Sequence, residues 1–334
     1  MRISRVGRLW AAAGLGLALA GGVEARQNPR GGETLEVLQV QPDFYMIAGA
    51  GSNIAVQIGL DGVVLVDAGS GAAADQVVAA IKRLTDQPIR YIINTSADAD
   101  HVGGNEKVAR AGVSLFAVGN LGPGGGNTAI NNGGAASIIA TERVLLRMSA
   151  PTGQQAQYPS TAWPTETFTR KQKNLYLNRE GIEVIAQPAA HTDGDSVVLF
   201  RRSDVLVTGD IFDMTRFPVI DIDKGGSIQG EIDALNHILE LAIPSIPLPF
   251  QDGGTQVIPG HGRISEQAEV VEYRDMVTIV RDVIQDQIKR GMTVEQVKAS
   301  APAKGYARRY GSNSGPWTTN MFVEAVYKSL AARK

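Results

Sequence analysis

The chain has 334 residues, of which 43% are hydrophobic, enough to bury the core of one large domain. Its 32 basic and 34 acidic residues leave a formal net charge of -2, so no overall field would gather nucleic acid or anionic lipid. Because the chain contains no cysteine, disulfides and thiolate metal ligands are excluded.

The first residues have the pattern of a secretory signal peptide. Three arginines among the first eight residues precede the apolar run Leu9–Gly22, and small residues then predict cleavage after Ala25. A membrane anchor is the alternative, but a bilayer span needs about 20 apolar residues, and this run is shorter and rich in glycine and alanine. We therefore expect a periplasmic or secreted protein, with residues 26–334 as a single domain and no stable membrane insertion after cleavage.

A β-meander opens the remaining chain. Strands are predicted at Glu36–Val40, Phe44–Ile47, Asn53–Ile58 and Val63–Val66. Asp61-Gly62 suits a tight hairpin between the last two strands. The helical spacing of Ala72–Leu84 and the short apolar run Ile89–Ile93 then predict a helix and a strand buried on both faces. The order strand, helix, strand marks a change to a β-α-β unit.

The second half repeats the combination of strands and helices. Strands are predicted at Ile182–Ala186, Ser196–Phe200, Val205–Thr208 and Gln256–Ile258, and helices at Gly230–Leu241 and Ser265–Arg290. A capping box at Thr293–Gln296 opens a last short helix that ends at Pro302. If both halves are built alike, helices cover two sheets in four layers, an α/β (α+β) fold. Two stretches without a core-forming period, Gly119–Ala136 and Ala150–Thr165, are predicted to be surface loops.

Three of the four histidines follow the end of a predicted strand. His101, His191 and His261 stand in tight loops beside carboxylates or glycines, whereas His237 is assigned to a solvated helix face. Asp210 ends an apolar strand and would point into the same cleft. Imidazole and carboxylate together suit a divalent ion. Any one of these loops could be an ordinary turn, but four of them in one chain favour a metal site.

Together with Asp67 and Asn94–Asn105, these loops resemble the metallo-β-lactamase superfamily, from about Val37 to the end of the long helix. Further segments are similar to its exported cyclase-like or glyoxalase-like hydrolases: His191–Asp195, Phe217–Asp221 and Gly225–Ser227. The resemblance implies the four-layer αββα sandwich of the metallo-β-lactamase fold and a metal-dependent hydrolase.

The resemblance also implies which residues bind metal. One ion would be held by Asp100, His101 and His261, a second by His191 with Asp98 and Ser96, and Asp210 would bridge the two. The family's loop normally carries histidines where this chain has Ser96 and Asp98. A carboxylate can replace imidazole but serine is a poor ligand, so we expect metal content nearer one ion than two. Zinc is the expected ion, and the added anionic oxygen also suits manganese or iron.

The implied reaction is attack of a metal-activated water on an ester, thioester, lactone or amide-type small-molecule substrate. Asp100 would ligate the ion and orient the nucleophile, and Asp67 would support the metal-binding loop. Loops around Gly119–Ala136 and Phe212–Ser227 would contact the substrate. A β-lactamase is one alternative, disfavoured because Asp213 stands where some β-lactamases of the superfamily carry a lysine. A periplasmic module that binds a metal or ligand without catalysis is the other.

Overall fold

A computed structural model describes residues 35–115, 134–151, 153–245 and 253–332 of the chain. The predicted signal peptide, residues 1–25, lies outside the described residues, as do residues 119–133 of the predicted Gly/Asn-rich loop. Within the described ranges, no helix has both the length and the apolar character needed to cross a membrane.

The first sheet has seven strands that lie side by side in chain order. They are β1 (Glu36–Gln41), β2 (Phe44–Ala50), β3 (Ser52–Gly59), β4 (Gly62–Val66), β5 (Ile89–Ile93), β6 (Ser137–Thr141) and β7 (Glu166–Phe168). β1 to β4 pair antiparallel, as the predicted meander requires, and β4 to β7 pair parallel. The helix α1, Ala74–Leu84, connects β4 to β5. This confirms the predicted β-α-β unit and sends the loops after β4 and β5 to one edge of the sheet.

The second sheet has five strands in the order β12-β11-β10-β9-β8. They are β8 (Gln172–Leu177), β9 (Glu180–Ala186), β10 (Ser196–Phe200), β11 (Val205–Val207) and β12 (Gln256–Ile258). Neighbours from β8 to β11 pair antiparallel, and β12 runs parallel to β11. Because β9, β11 and β12 run in the same direction, the loops that follow them leave the same edge of this sheet.

Helices cover the outer faces of both sheets, and apolar side chains fill the space between the sheets. Buried side chains of α1 pack on the first sheet, and those of α5 (Ile228–Leu241), α6 (Gln267–Lys289) and α9 (Thr319–Ala331) pack on the second. Between the sheets, Phe44 and Phe200 meet edge to face with ring centroids 4.8 Å apart. Fully burying such a side chain contributes roughly 1.5–3 kcal/mol. The layers are therefore those of the predicted αββα sandwich.

Shorter helices complete the described chain: α2 (Ala99–Val102), α3 (Asn105–Arg110), α4 (Glu142–Met148), α7 (Val294–Ser300) and α8 (Ala307–Tyr310). The capping box predicted at Thr293 and Gln296 is present at the start of α7. The prediction that α7 is the last helix is wrong, because α8 and α9 follow it. Phe322 and Val326 of α9 are fully buried, so this helix is part of the core of the second half.

Packing corrects the assignment of His237 and adds detail to the two predicted surface loops. Ala150–Thr165 contains a 3-10 turn at Ser160–Ala162, and the Ala162 carbonyl accepts a hydrogen bond from Asn105 Nδ2 (3.0 Å). Ala136, at the end of the other predicted surface loop, is fully buried. His237 is half-buried rather than solvated, and its Nδ1 lies 2.8 Å from Gln187 Nε2. In each case a neighbour distant in sequence covers the residue.

Candidate metal centre

Loops from both sheets meet at one edge of the sandwich and carry the predicted site residues. Asp67 follows β4, Asp98–His101 follows β5, His191 follows β9, Asp210 follows β11 and His261 follows β12. Each side chain therefore starts from the end of a strand that is anchored in the core. The loops are local in sequence, and the strand directions bring them together.

Close backbone approach holds these loops in place. The Asn53 amide donates to the Gly260 carbonyl (2.8 Å), and the Ser196 amide donates to the Thr95 carbonyl (2.9 Å). A Cβ added at Gly260 would lie 2.5 Å from Asp210 Oδ1, closer than real Cβ atoms come to other atoms. Only glycine therefore lets the His261 loop approach the Asp210 loop so closely.

The six candidate ligands form two groups, Asp100, His101 and His261 on one side and Asp98, His191 and Asp210 on the other. Within each group the possible ligand atoms all lie within 4.8 Å of one another. Asp210 also faces the first group, because its Oδ1 lies 3.1 Å from His101 Nε2 and 3.3 Å from His261 Nε2. Its Oδ2 lies 3.9 Å from His191 Nε2. The carboxylate of Asp210 thus lies between the two groups, where a bridging ligand is expected.

Three buried atoms with the chemistry of metal ligands converge at Asp210. His101 Nε2, His261 Nε2 and Asp210 Oδ1 have no hydrogen-bond partner within the described residues, although Asp210 Oδ1 lies 3.1 and 3.3 Å from the two nitrogens. A buried polar atom without a partner costs about 1–3 kcal/mol. Two imidazole nitrogens and a carboxylate oxygen are ligands that zinc and related divalent ions prefer. The chemistry of these atoms fits a divalent ion in this group, and Asp100 Oδ2, 3.2 Å from His261 Nε2, could be a further ligand.

Asp67 holds His101 in the orientation that metal binding requires. Its Oδ2 lies 2.8 Å from His101 Nδ1, and it accepts hydrogen bonds from the Thr95 amide (2.8 Å) and the Thr95 hydroxyl (2.7 Å). A proton on Nδ1 leaves the Nε2 lone pair free for an ion. Asp67 has a φ of 64°, which is uncommon for a residue other than glycine. Such backbone strain is maintained only where surrounding contacts enforce it.

The second group is already paired within the protein. His191 Nδ1 lies 2.6 Å from the Val219 carbonyl, and its Nε2 lies 2.7 Å from Asp98 Oδ2. The other carboxylate oxygen of Asp98 lies 3.3 Å from Lys224 Nζ. The buried hydroxyl of Ser96 accepts a hydrogen bond from the Asp98 amide (3.3 Å) and so contributes to the shape of the loop. Asp98 thus occupies the predicted position facing His191, with a lysine beside it.

The carboxylates and imidazoles strongly perturb one another's pKa values. Burial raises the pKa of Asp210, but His101 and His261 outweigh burial and hold the pKa well below its usual range. Burial lowers the pKa of His191, but Asp98 and other carboxylates raise it to about 10. Neighbouring carboxylates raise the pKa of His261 to about 9 in the same way. The centre therefore favours positive charge, whether as protons or as a metal ion.

Sequence reasoning did not identify two residues that shape this centre. Lys224 is 126 residues from Asp98, within the Phe212–Ser227 segment predicted only to contact substrate. Asn53 donates through Nδ2 to the carbonyls of Pro259 and Gly262, both at 2.9 Å, and so fixes the loop of His261. Neither residue carries a local motif, because each acts through contacts that only the folded chain creates.

Solved structures with the same fold include enzymes of two kinds. The inverting sec-alkylsulfatase Pisa1 from Pseudomonas sp. matches with a TM-score of 0.61 and 14% identity, over 89% of this chain and 50% of that one. A metallo-β-lactamase from Pontibacter korlensis matches with a TM-score of 0.53 and 17% identity, over 73% of this chain and 99% of that one. The DIM-1 metallo-β-lactamase matches with a TM-score of 0.51 and 17% identity, over 73% of this chain and 97% of that one. The chain spans half the length of the alkylsulfatase. At these identities, the matches establish the fold.

The sequence itself gives the family. Comparison with curated proteins found no match. The family model of the metallo-beta-lactamase superfamily matches residues 47–246, more than half of the chain. These residues include the strands of the first sheet from β2 onward and four of the five loops that carry the candidate ligands and Asp67. The chain belongs to the metallo-β-lactamase superfamily.

Proposed function

We propose that the chain is a metal-dependent hydrolase whose principal metal site is formed by Asp100, His101, His261 and Asp210. The observation that supports this most strongly is the convergence of His101 Nε2 and His261 Nε2 on Asp210 Oδ1, at 3.1 and 3.3 Å, with none of the three buried atoms in a hydrogen bond within the described residues. A protein that used this cleft only for recognition would not need to leave three buried polar atoms unsatisfied.

The side chains around this site have distinct roles in the proposed hydrolysis. When bound, a divalent ion would supply Lewis acidity and lower the pKa of water toward about 7. Asp100 is exposed enough to contact water, with 36% of its side chain accessible, and it would accept the proton of the attacking water. Asp67 would keep the His101 imidazole oriented. Asp210, which is almost fully buried, would be a rigidly held metal ligand.

Zinc is the proposed ion, and the three carboxylates near the site make manganese or iron the alternatives to measure. The proposed substrates are small molecules with an ester, thioester, lactone or amide bond. β-Lactam hydrolysis, one of the alternatives named above, is tested by including nitrocefin. An alkyl sulfate is added to the panel because one similar structure is an alkylsulfatase. We also propose export, on the basis of the arginines and apolar run before Ala25.

The test combines metal analysis with a substrate panel. Protein purified without chelator should contain a divalent ion by elemental analysis and should hydrolyse at least one member of the panel. Asp100→Asn should retain the fold and lose at least 100-fold in kcat, on the order expected for loss of a general base. Asp86→Asn is the matched control, because Asp86 is exposed and precedes β5, at the opposite end of the strand. Absence of a bound ion would support the non-catalytic binding module instead.

A further inference from the structure

The two halves of the centre differ in how their ligand atoms are satisfied. In the half with His101 and His261, both Nε2 atoms are buried and without a hydrogen-bond partner among the described residues. In the other half, His191 Nε2 is 2.7 Å from Asp98 Oδ2, in hydrogen-bond geometry. The remaining oxygen of Asp98 is 3.3 Å from the Lys224 ammonium. The two halves therefore differ in that Asp98 of the second half already faces a lysine ammonium.

The chain fixes Lys224 in this position through its backbone. The Lys224 carbonyl accepts the Asp193 amide (3.0 Å) and Arg147 Nη2 (2.6 Å). The turn that precedes Lys224 is hydrogen-bonded to the loop of His191 and Asp193, because the Asp221 amide donates to the His191 carbonyl (2.9 Å). Lys224 and His191 are therefore carried by two segments that are hydrogen-bonded to each other. The position of the lysine beside the half-site is a built feature of the fold.

The charges around Lys224 are also balanced locally. Its ammonium lies 3.3 Å from Asp98 and 2.9 Å from Asp221 Oδ2. The side chain of Lys224 is 45% exposed, and those of Asp98 and Asp221 are 25% and 26% exposed, so part of this contact is shielded from water. A second divalent ion beside Asp98 would have to break the hydrogen bond of His191 and approach a fixed positive charge.

We propose that the Lys224 ammonium is the resident cation of the half-site formed by Asp98 and His191, in the role that a second metal ion would otherwise take. This proposal rests on the proposed metal-dependent function. Lys224 is then a positioning residue: it neutralises Asp98 and holds the carboxylate against His191, so that one tight ion per chain suffices. The carboxylate at position 98 and the lysine at position 224 form a functional pair.

The experiment is a calorimetric titration of chelator-treated, dialysed protein with Zn²⁺ alone. Elemental analysis then gives the number of ions bound per chain. We expect one tight ion in the wild type. We expect Lys224→Met to bind a second ion at least about tenfold more tightly than the wild type does, because the competing positive charge is gone. Lys224→Arg keeps the charge and should behave as wild type. Lys298→Met, which breaks an ion pair with Glu324 between α7 and α9, is the matched control.

The possible results separate the role of Lys224 from the proposed hydrolase function. Two equally tight ions in the wild type, or an unchanged second site in Lys224→Met, would overturn the role of Lys224 and leave the proposed hydrolase standing. No tight ion in the wild type would overturn both. If Lys224→Met does not fold, Lys224→Gln and the wild-type stoichiometry decide the question. Anomalous diffraction from Zn²⁺-loaded Lys224→Met should place the added ion between Asp98 and His191, and an added ion elsewhere would contradict the proposal.

Discussion

Glu231, in the first turn of α5, is a buried acid whose protonation can be tested through folding stability. Its side chain is fully buried, and neither carboxylate oxygen has a hydrogen-bond partner within the described residues. Burial raises its pKa well above 4.5, and although His191 opposes the shift, the carboxylates of Asp195 and Asp210 add to it. We therefore expect Glu231 to stay protonated in the folded protein at pH values where a glutamate of the unfolded chain is ionised.

This raised pKa determines how the free energy of unfolding changes with pH. Below pH 4.5 both the folded and the unfolded chain hold the proton, and the glutamate has no pH-dependent cost. As pH rises, the unfolded chain releases a proton that the folded chain retains, so folding becomes about tenfold less favourable per pH unit. The cost rises by about 1.4 kcal/mol for each pH unit above 4.5 until the folded-state pKa is reached. Glu231→Gln removes it, because glutamine has a similar shape and no titrating proton.

Urea denaturation of the wild type and Glu231→Gln at several pH values between 4 and 8 measures this difference. We expect the two proteins to be equally stable near pH 4 and the variant to be more stable at higher pH, by an amount that grows by about 1.4 kcal/mol per pH unit until the folded-state pKa is reached. Glu240→Gln, at an exposed position of the same helix, should show no such trend. A difference that stays constant with pH, or a variant less stable at pH 7, would refute the conclusion that Glu231 is buried as a neutral acid.

Three further predictions concern the metal centre. Asp67→Asn removes the charged acceptor of the His101 Nδ1 proton, so the Kd for Zn²⁺ in chelator competition should rise roughly 10–100-fold. Gly260→Ala would place a methyl carbon 2.5 Å from Asp210 Oδ1, and elemental analysis should show less bound metal. Because the pKa of His261 is raised to about 9, metal must displace its proton below that pH, so apparent affinity should rise at least about tenfold per pH unit between pH 6 and 8.

Controls for these predictions come from the same chain. Gly253→Ala controls Gly260→Ala, because a Cβ added at Gly253 meets nothing within 4 Å. Unchanged metal affinity in Asp67→Asn would mean that Asp67 is structural only. Full metal content in Gly260→Ala would mean that the two loops move apart without cost. Affinity independent of pH would mean that His261 is already neutral before metal binds.

Strands buried on both faces could be predicted from sequence with accurate bounds. Ile89–Ile93, Ser196–Phe200 and Gln256–Ile258 are found where the apolar runs placed them. β8 was not predicted, because it is an edge strand in which polar residues such as Lys173 and Asn174 interrupt the pattern. α9 was not predicted either. Edge position and long-range packing are decided by the rest of the fold rather than by local sequence.

The convergence of the candidate ligand loops could be predicted because each is a short strand-to-loop segment with its own signature. Asp100, His101, His191, Asp210 and His261 all lie at one edge of the sandwich. The pairing of Asp98 with Lys224 could not be predicted, because it joins segments 126 residues apart. The half-burial of His237 by Gln187 was missed for the same reason. Spacing identifies candidate ligands, whereas the partners that set their charge and orientation come from tertiary contacts.

Anomalous diffraction at the zinc edge from crystals of Zn²⁺-loaded wild-type protein tests the proposed centre most directly. We predict one strong peak within coordination distance of His101 Nε2, His261 Nε2 and Asp210 Oδ1, the three buried atoms without a hydrogen-bond partner among the described residues. No peak among these three atoms, or a single strong peak beside His191 instead, would contradict the proposed metal centre.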